Sequence, residues 1–360
     1  MNYSRPRINP WKLNLLALAL VLVTEVVGAQ VIAWGDNTYG ETNVPSFLTN
    51  IVAIAAGSDH VVALMSSGSV VAWGDNSSGE TNVPSGLTNV VAIYSSSAAP
   101  DTAALLSDGT LIIWGGGNET NVPSGVSNTI AVAIGGGQVL ALKSDGTVRC
   151  WGINNSGDAD VPPGLSNVVA VSAGAYYSMA LKSDGTVVGW GFNGNGEQNF
   201  PPGLTNVIAI SAGSTHGLAL RQDGIVLAWG FNTYGAASVP FGLSNVVAIS
   251  AGVNFSVALR SDGSVVAWGN DASGQVNVPG GLTSAVAIAA GSGYTATLLN
   301  SGAPLITRQP FTQQIYTGQT IDLYAAVAGS PPLNYQWQFD GTNITGATNA
   351  LLLLDNAGFA

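Results

Sequence analysis

The dipeptide Trp-Gly returns seven times at nearly constant intervals, and that recurrence constrains the fold more than any other feature of the chain. The tryptophans are Trp34, Trp73, Trp114, Trp151, Trp190, Trp229 and Trp268, spaced 39, 41, 37, 39, 39 and 39 residues apart. A period of this length marks one supersecondary unit that cannot bury its apolar faces alone and must stack on its neighbours. The unit reads NVVAIxAGxxxxxALxSDGxVxAWGxNxxGExNVPxGLT. Its two odd spacings cancel: residues 94–102 carry two extra positions, and the segment around 135–138 reads as two short.

Runs such as NVVAI (89–93) and SVVAW (69–73) are too short for helices and rich in β-branched side chains, so they predict strands. Asp-Gly pairs at Asp108, Asp145, Asp184, Asp223 and Asp262 supply tight hairpins. Proline closes a fourth segment in every unit (Pro45, Pro84, Pro123, Pro162, Pro201, Pro240, Pro279), and a residue without an N–H belongs at a sheet edge. The expectation is four short antiparallel strands per unit, with each repeated tryptophan structural, filling the wedge between sheets. The chain enters in mid-unit at VIAW (31–34) and leaves in mid-unit after AVAI (285–288) and TATL (295–298). Joining those halves hides both sheet margins, which an open stack would have to cap. The reading is all-β: a seven-bladed β-propeller closed by its N-terminal and C-terminal half-repeats, over residues 30–303.

These residues resemble the regulator of chromosome condensation repeat family, whose units show the same AGxxH, DGxVxxWG and Asn-x-x-Gly patterns. The VIAWGDN start at Val31 and the ETNVP segments at Glu41 and Glu80 are similar to a secreted branch typified by the bacterial β-lactamase-inhibitory protein II. The resemblance spans residues 31–302 and implies a seven-bladed propeller of bacterial type. It further implies that one face binds a protein through aromatic side chains. Nuclear members act in guanine-nucleotide exchange and chromatin binding. Nine Lys and Arg against 20 Asp and Glu argue against that here, and against any nucleic-acid partner.

The ends differ from the ring. Arg5, Arg7 and Lys12 precede an apolar run from Leu13 to Val23, and Val27-Gly28-Ala29 offers a cleavage site, so residues 1–29 read as a signal peptide. The run rises only about 16 Å as a helix, about half a bilayer core, which disfavours a retained anchor. The mature chain is expected to be secreted or at the cell surface, with no membrane insertion after cleavage. From Pro304 the pattern resembles the opening strands of an immunoglobulin-like domain, with Trp337 matching the buried tryptophan of such β-sandwiches. Ala325 stands where the first cysteine would be, so residues 304–360 read as a partial, incomplete immunoglobulin-like sandwich lacking its usual disulfide.

Strand parity assigns the loops. The turn after Ala-Gly and the loop after Trp-Gly share one face, and the Ser-Asp-Gly hairpins and PSGLTN connections share the other. The first face varies between repeats. Its candidate binding residues are Asp36, Tyr39, Asp59, His60, Asp75, Tyr176, Tyr177, Phe192, His216, Phe231, Tyr234, Asn254, Phe255 and Tyr294, with Asp101 beside them. Variety on a rigid frame suits recognition; the other reading is that these rings plug the channel mouth. Lys143, Lys182, Arg221 and Arg260 fall beside the opposite hairpins, so the varied face is expected to be anionic and to suit a protein with a basic patch. Exposed Tyr and Phe with Asn and Asp would also suit carbohydrate. His60 and His216 occupy the equivalent place in two units and read primarily as turn or packing residues. No nucleophile elbow, phosphate loop or paired acid and base is visible, so no catalytic residue and no cofactor are expected. No second His or Cys completes a zinc site, and Asp75–Glu80 misses calcium-loop spacing, so no metal is expected. Cys150, the single cysteine, reads as a buried, inert thiol.

Overall fold

Each unit builds one antiparallel sheet of three strands, and seven such sheets stand around a common axis. The computed structural model describes residues 30–117 and 120–300, with short stretches at 305–308, 321–324, 326–328, 338–339, 342–344 and 351–354. The expected signal peptide, and most of the expected immunoglobulin-like segment, lie outside the described residues. From the axis outward, blade one is Ile51–Ala56, His60–Met65 and Val70–Gly74, and blade two is Val90–Ser96, Ala99–Leu106 and Leu111–Trp114. Blade three is Thr129–Ile134, Gln138–Lys143 and Val148–Gly152; blade four is Val168–Ala173, Tyr177–Lys182 and Val187–Gly191. Blade five is Val207–Ala212, His216–Arg221 and Val226–Gly230; blade six is Val246–Ala251, Phe255–Arg260 and Val265–Gly269.

Blade seven joins the two ends of the periodic region. Ala285–Ala290 and Tyr294–Leu299 are completed by Gln30–Gly35, with Val31 opposite Leu298 and Trp34 opposite Thr295. Indole Nε1 of Trp34 donates to the Gln275 carbonyl of blade six at 3.0 Å. One apolar cluster runs through the junction, including Trp34, Val61, Trp73, Phe255 and Leu298. Inner strands of all seven blades line a central cavity of about 250 Å³. The ring is closed.

The expected fourth strand is absent from the sheets. Residues 41–45 instead follow two turns, with Gly40 N–H on Asn37 O (3.2 Å) and Asn43 N–H on Gly40 O (3.0 Å). The Asn37 side chain takes the Thr42 N–H at 2.9 Å, so a side chain does what a ladder partner would have done. Asn76, Asn154, Asn193 and Asn232 repeat this arrangement in their own loops.

The compensating length changes also sit elsewhere than expected. The turn at 135–138 has ordinary length, since Gly135 and Gln138 stand where Gly174 and Tyr177 stand in the next blade. The shortening lies in the loop after Trp114. It packs beside the lengthened hairpin of the same blade: Gly117 N–H donates to Asp101 Oδ1 at 3.1 Å, and a Cβ on Gly116 would lie 3.3 Å from Pro100. The longer hairpin fills the room that the shorter loop leaves.

At the opposite end of the blades, Asn50, Asn89, Asn128, Asn167, Asn206 and Asn245 adopt positive φ near 55° just before each inner strand. Their carbonyls receive hairpin N–H groups, as from Gln222 to Asn206 at 3.0 Å. Asparagine tolerates this conformation and β-branched residues do not. Asn206→Gly is expected to leave the urea midpoint nearly unchanged, whereas Asn206→Val lowers stability by about 1–2 kcal/mol. One residue further on, each inner strand carries a bulge in which a Val or Ile is skipped by the ladder, such as Val52, Val91, Ile130 and Val286.

Candidate functional site

The varied face is assembled by a repeated backbone bond. The first residue after each Trp-Gly donates its N–H to the last residue of the inner turn: Asp75 to Asp59 (2.8 Å), Phe192 to Tyr176 (2.9 Å), Phe231 to Thr215 (2.9 Å), Asp36 to Gly293 (2.9 Å). Turns of neighbouring blades are joined too, as Ala175 N–H to Ser214 O (3.0 Å) and Ser292 N–H to Ser58 O (3.1 Å). These turns and loops therefore share one face, with backbone bonds joining the turns at five of the seven blade junctions.

The candidates divide by burial. Tyr39, Tyr176, Phe192 and Tyr234 are exposed; Asp36, Asp59, Asp75, Phe231 and Asn254 are half-buried. His60, Tyr177, His216, Phe255 and Tyr294 are buried, which fits the packing reading of the two histidines and corrects the placing of all five on the accessible face. All five open the middle strand of a blade, as does Gln138, and the buried Asp101 holds the equivalent place within blade two's longer Ala99–Leu106. From that position the side chain reaches the next blade. The Tyr177 hydroxyl donates to the His216 carbonyl at 2.5 Å, and Tyr294 does the same to His60 at 2.5 Å. His60 Nε2 lies 2.7 Å from Thr102 Oγ1, His216 Nε2 lies 3.0 Å from Ser256 Oγ, and Gln138 Nε2 donates to the Gly174 carbonyl at 3.2 Å. These are latches between blades. Tyr177→Phe leaves buried carbonyls short of a donor and is expected to cost about 1–3 kcal/mol in urea unfolding.

A second set of buried groups escaped the sequence reading. Glu41, Glu80, Asp158, Glu197 and Gln275 sit seven positions after the repeated tryptophans and are buried. Their carbonyls accept the indole N–H of the following blade, as Trp73 on Glu41 (2.9 Å) and Trp229 on Glu197 (2.7 Å). Their side chains accept a loop N–H two residues back, as Ser78 on Glu80 (2.7 Å). Burial raises the Glu41 carboxyl above its usual range. The visible signal was the seven-residue step from tryptophan to an acid in four of the seven units, with Gln275 in a fifth. Six of the tryptophans are buried and Trp151 is half-buried.

The accessible rim is polarised. Apolar and aromatic side chains gather over blades three to five: Ile153 is 45% exposed, Tyr176 55%, Phe192 40% and Tyr234 52%, with Phe231 edge-on to Tyr234 at 6.2 Å. Carboxylates predominate over blades six, seven and one, where Asp271, Asp36, Asp59 and Asp75 lie with the exposed Tyr39 among them, while Asp160 stands on the aromatic side. Ser292 Oγ ties Asp59 to blade seven at 2.9 Å. No Lys or Arg shares the rim among the described residues. Lys143, Lys182 and Arg221 pair with hairpin aspartates on the opposite face at 3.8, 3.2 and 2.7 Å. That face is less uniform than its repeats suggest, since Phe47 and Phe241 project from two of its connections.

Chemistry elsewhere is sparse. The cavity is lined by Ala, Ser, Val and Ile with Tyr94, whose hydroxyl burial pushes up to about 12. Asp75 spends its carboxylate on Asn76 N–H (2.8 Å) and Ser77 (2.7 Å), and no group of three metal-ligating side chains occurs among the described residues. Cys150 is half-buried, and burial raises its thiol to about 12, which makes it a poor nucleophile. Among the described residues no helix is long and apolar enough to cross a membrane.

A closed ring of such blades, with tryptophan wedges and a loop rim, is a β-propeller. Residues 51–80, 130–158, 168–197, 207–236 and 246–275 match the family described as the regulator of chromosome condensation (RCC1) repeat, and these five segments are repeats of that family. Blade two, with its redistributed lengths, falls outside the matched segments. No curated protein matches the sequence. Solved structures similar in fold include Prp20p from Saccharomyces cerevisiae, studied for its binding to Gsp1p and histones (17% identity, TM-score 0.66, 79% of this chain and 93% of that one). Human WBSCR16 is also similar (17%, 0.63, 75% and 100%). So is the CRINKLY WD40 ectodomain of the Arabidopsis thaliana receptor kinase ACR4 (20%, 0.57, 70% and 90%).

Proposed function

We propose that this chain is an exported, non-catalytic interaction scaffold that holds a protein partner on the loop rim, its aromatic side gripping apolar surface and its acidic side facing a basic patch. The observation that carries the reading is the rim's division into an exposed aromatic arc and a carboxylate arc free of cations among the described residues. Aromatic anchors supply the affinity of such an interface, and the charge supplies orientation and association rate. The n-region and apolar run before Gln30 support export. Protein binding by Prp20p, and the occurrence of the fold in a receptor ectodomain, fit the same use.

Carbohydrate is the second reading. Asn193 and Asn232 beside the exposed rings would be the natural sugar ligands, but their amides are spent on Gln198 and Asn199, and on Ala237 and Ser238. The test is affinity capture from the native extracellular medium, followed by kinetics on the captured partner. Tyr176→Ala with Phe192→Ala is expected to weaken binding by about 30-fold or more. Asp59→Asn with Asp75→Asn is expected to slow association and flatten its salt dependence. A partner indifferent to both pairs sinks the reading, and glycan-array binding lost with Tyr176→Ala would replace it with carbohydrate.

A further inference from the structure

The hairpin-side mouth of the channel is ringed by the bulge residues, and the ring is unevenly covered. At blades two and three the bulge side chains stand in solvent, Val91 at 56% and Ile130 at 53% exposed. At blades one, four, five and six the equivalents Val52, Val169, Ile208 and Val247 are half-buried. At blade seven Val286 is fully buried, at 0%. The blades share one backbone design, so a gradient centred on blade seven must come from something lying over it.

A second position shows the same asymmetry. The residue after each middle strand is exposed in blades one to five (Ser66, Ser107, Ser144, Ser183, Gln222), yet its blade-seven counterpart, Asn300, is only 6% exposed. Asn300 is where the chain leaves the ring, its N–H held by the Ser284 carbonyl at 3.0 Å. Neither atom of its side-chain amide has a hydrogen-bond partner among the described residues. No bond of its own draws that side chain inward, so its burial is imposed from outside. The strand pair Leu305–Arg308 and Ala326–Ala328 runs against the inner strands of blades six and seven.

The geometry points to the strand pair Leu305–Arg308 and Ala326–Ala328 of the chain's own C-terminal segment as the occupant of this apolar annulus at blades six and seven, on the side opposite the recognition rim. Continuity of the chain favours it over any free partner: a segment tethered at Asn300 meets Val286 and Val247 at high effective concentration. The bulges give it a surface. A β-bulge re-aims a side chain out of the pleat, and seven of them at one register turn Val and Ile towards the axis end. The contact leaves the loop rim open, so the chain presents one face while the other is covered in cis.

The experiment uses the full chain with Cys150→Ser as background. Val286→Cys and Ile130→Cys are compared for reaction with a small maleimide, and Val247→Cys is labelled with benzophenone-maleimide and irradiated. Ile130→Cys is expected to react at least tenfold faster than Val286→Cys. Val247→Cys is expected to give crosslinks within the monomer to residues 301–360, independent of protein concentration. Equal reactivity at the two cysteines overturns the proposal. So does a crosslink to a second copy, or one confined to the ring. Should Val286→Cys fail to fold, the Val247→Cys crosslink decides alone.

Discussion

Gly230→Ala is expected to cost more than about 4 kcal/mol, which places it among the rare severe single substitutions, while Gly203→Ala costs about 1–2 kcal/mol. Both glycines have positive φ, +93° and +83°. They differ in room. A Cβ on Gly203 meets nothing within 4 Å, whereas one on Gly230 would lie 2.7 Å from the Thr215 carbonyl oxygen and 2.9 Å from the His216 Cα. That carbonyl accepts the Phe231 N–H, so pushing it aside also breaks the bond that fixes the rim. Urea midpoints of the two variants separate backbone strain, common to both, from the close approach of strands, present in one. Equal losses would mean that the glycine after the tryptophan serves only its φ.

Acid is expected to loosen the ring in two stages. His60 and His216 are buried, and burial lowers both to about 4. Unfolded histidine titrates near 6.5, so between roughly pH 6.5 and 4 the unfolded chain binds more protons and stability falls with pH. Each histidine then removes about 3 kcal/mol by pH 4. The second stage involves the rim and hairpin aspartates. Hydrogen bonds from Ser77 hold Asp75 below the usual carboxylate range, and those from Thr147 do the same for Asp145, so their contribution is lost only under still more acidic conditions. The check is thermal unfolding across pH for the parent and for His60→Gln/His216→Gln. Glutamine is the resident of the same position in blade three, as Gln138, and bridges its seam. The double variant should lose most of this slope between pH 6.5 and 4, with the raised Glu41 carboxyl working in the opposite direction; an unchanged slope would assign the acid response to other groups.

The architecture was legible because its signals are repeated and local. The Trp-Gly recurrence, the Asp-Gly hairpins and the split register at Val31 and Ala285 each map to a backbone feature now seen. What misled was variation. Position one of the middle strand differs in nearly every unit, and variety between repeats resembles a recognition surface. There it reflects pairwise fitting across a seam, with a hydroxyl supplied for each histidine: Thr102 for His60 and Ser256 for His216. The pairing of a histidine with a hydroxyl about one unit later was the available signal. The fourth segment was taken for a strand because side-chain capping by Asn37 and its counterparts leaves no trace in hydrophobic periodicity. Exposure of Ile153 was equally hidden, since an aliphatic residue in a loop reads as buried.

Blade seven sets an order of events. Gln30–Gly35 is made first and must wait for Tyr294–Leu299, at the far end of the periodic region, before it has any partner. At about 5–20 residues per second of synthesis, that wait is on the order of tens of seconds. Throughout it the opening segment is an unpaired β-strand, prone to join whatever edge is near. The final zipping is then a single, late commitment that converts a slack chain into a hoop.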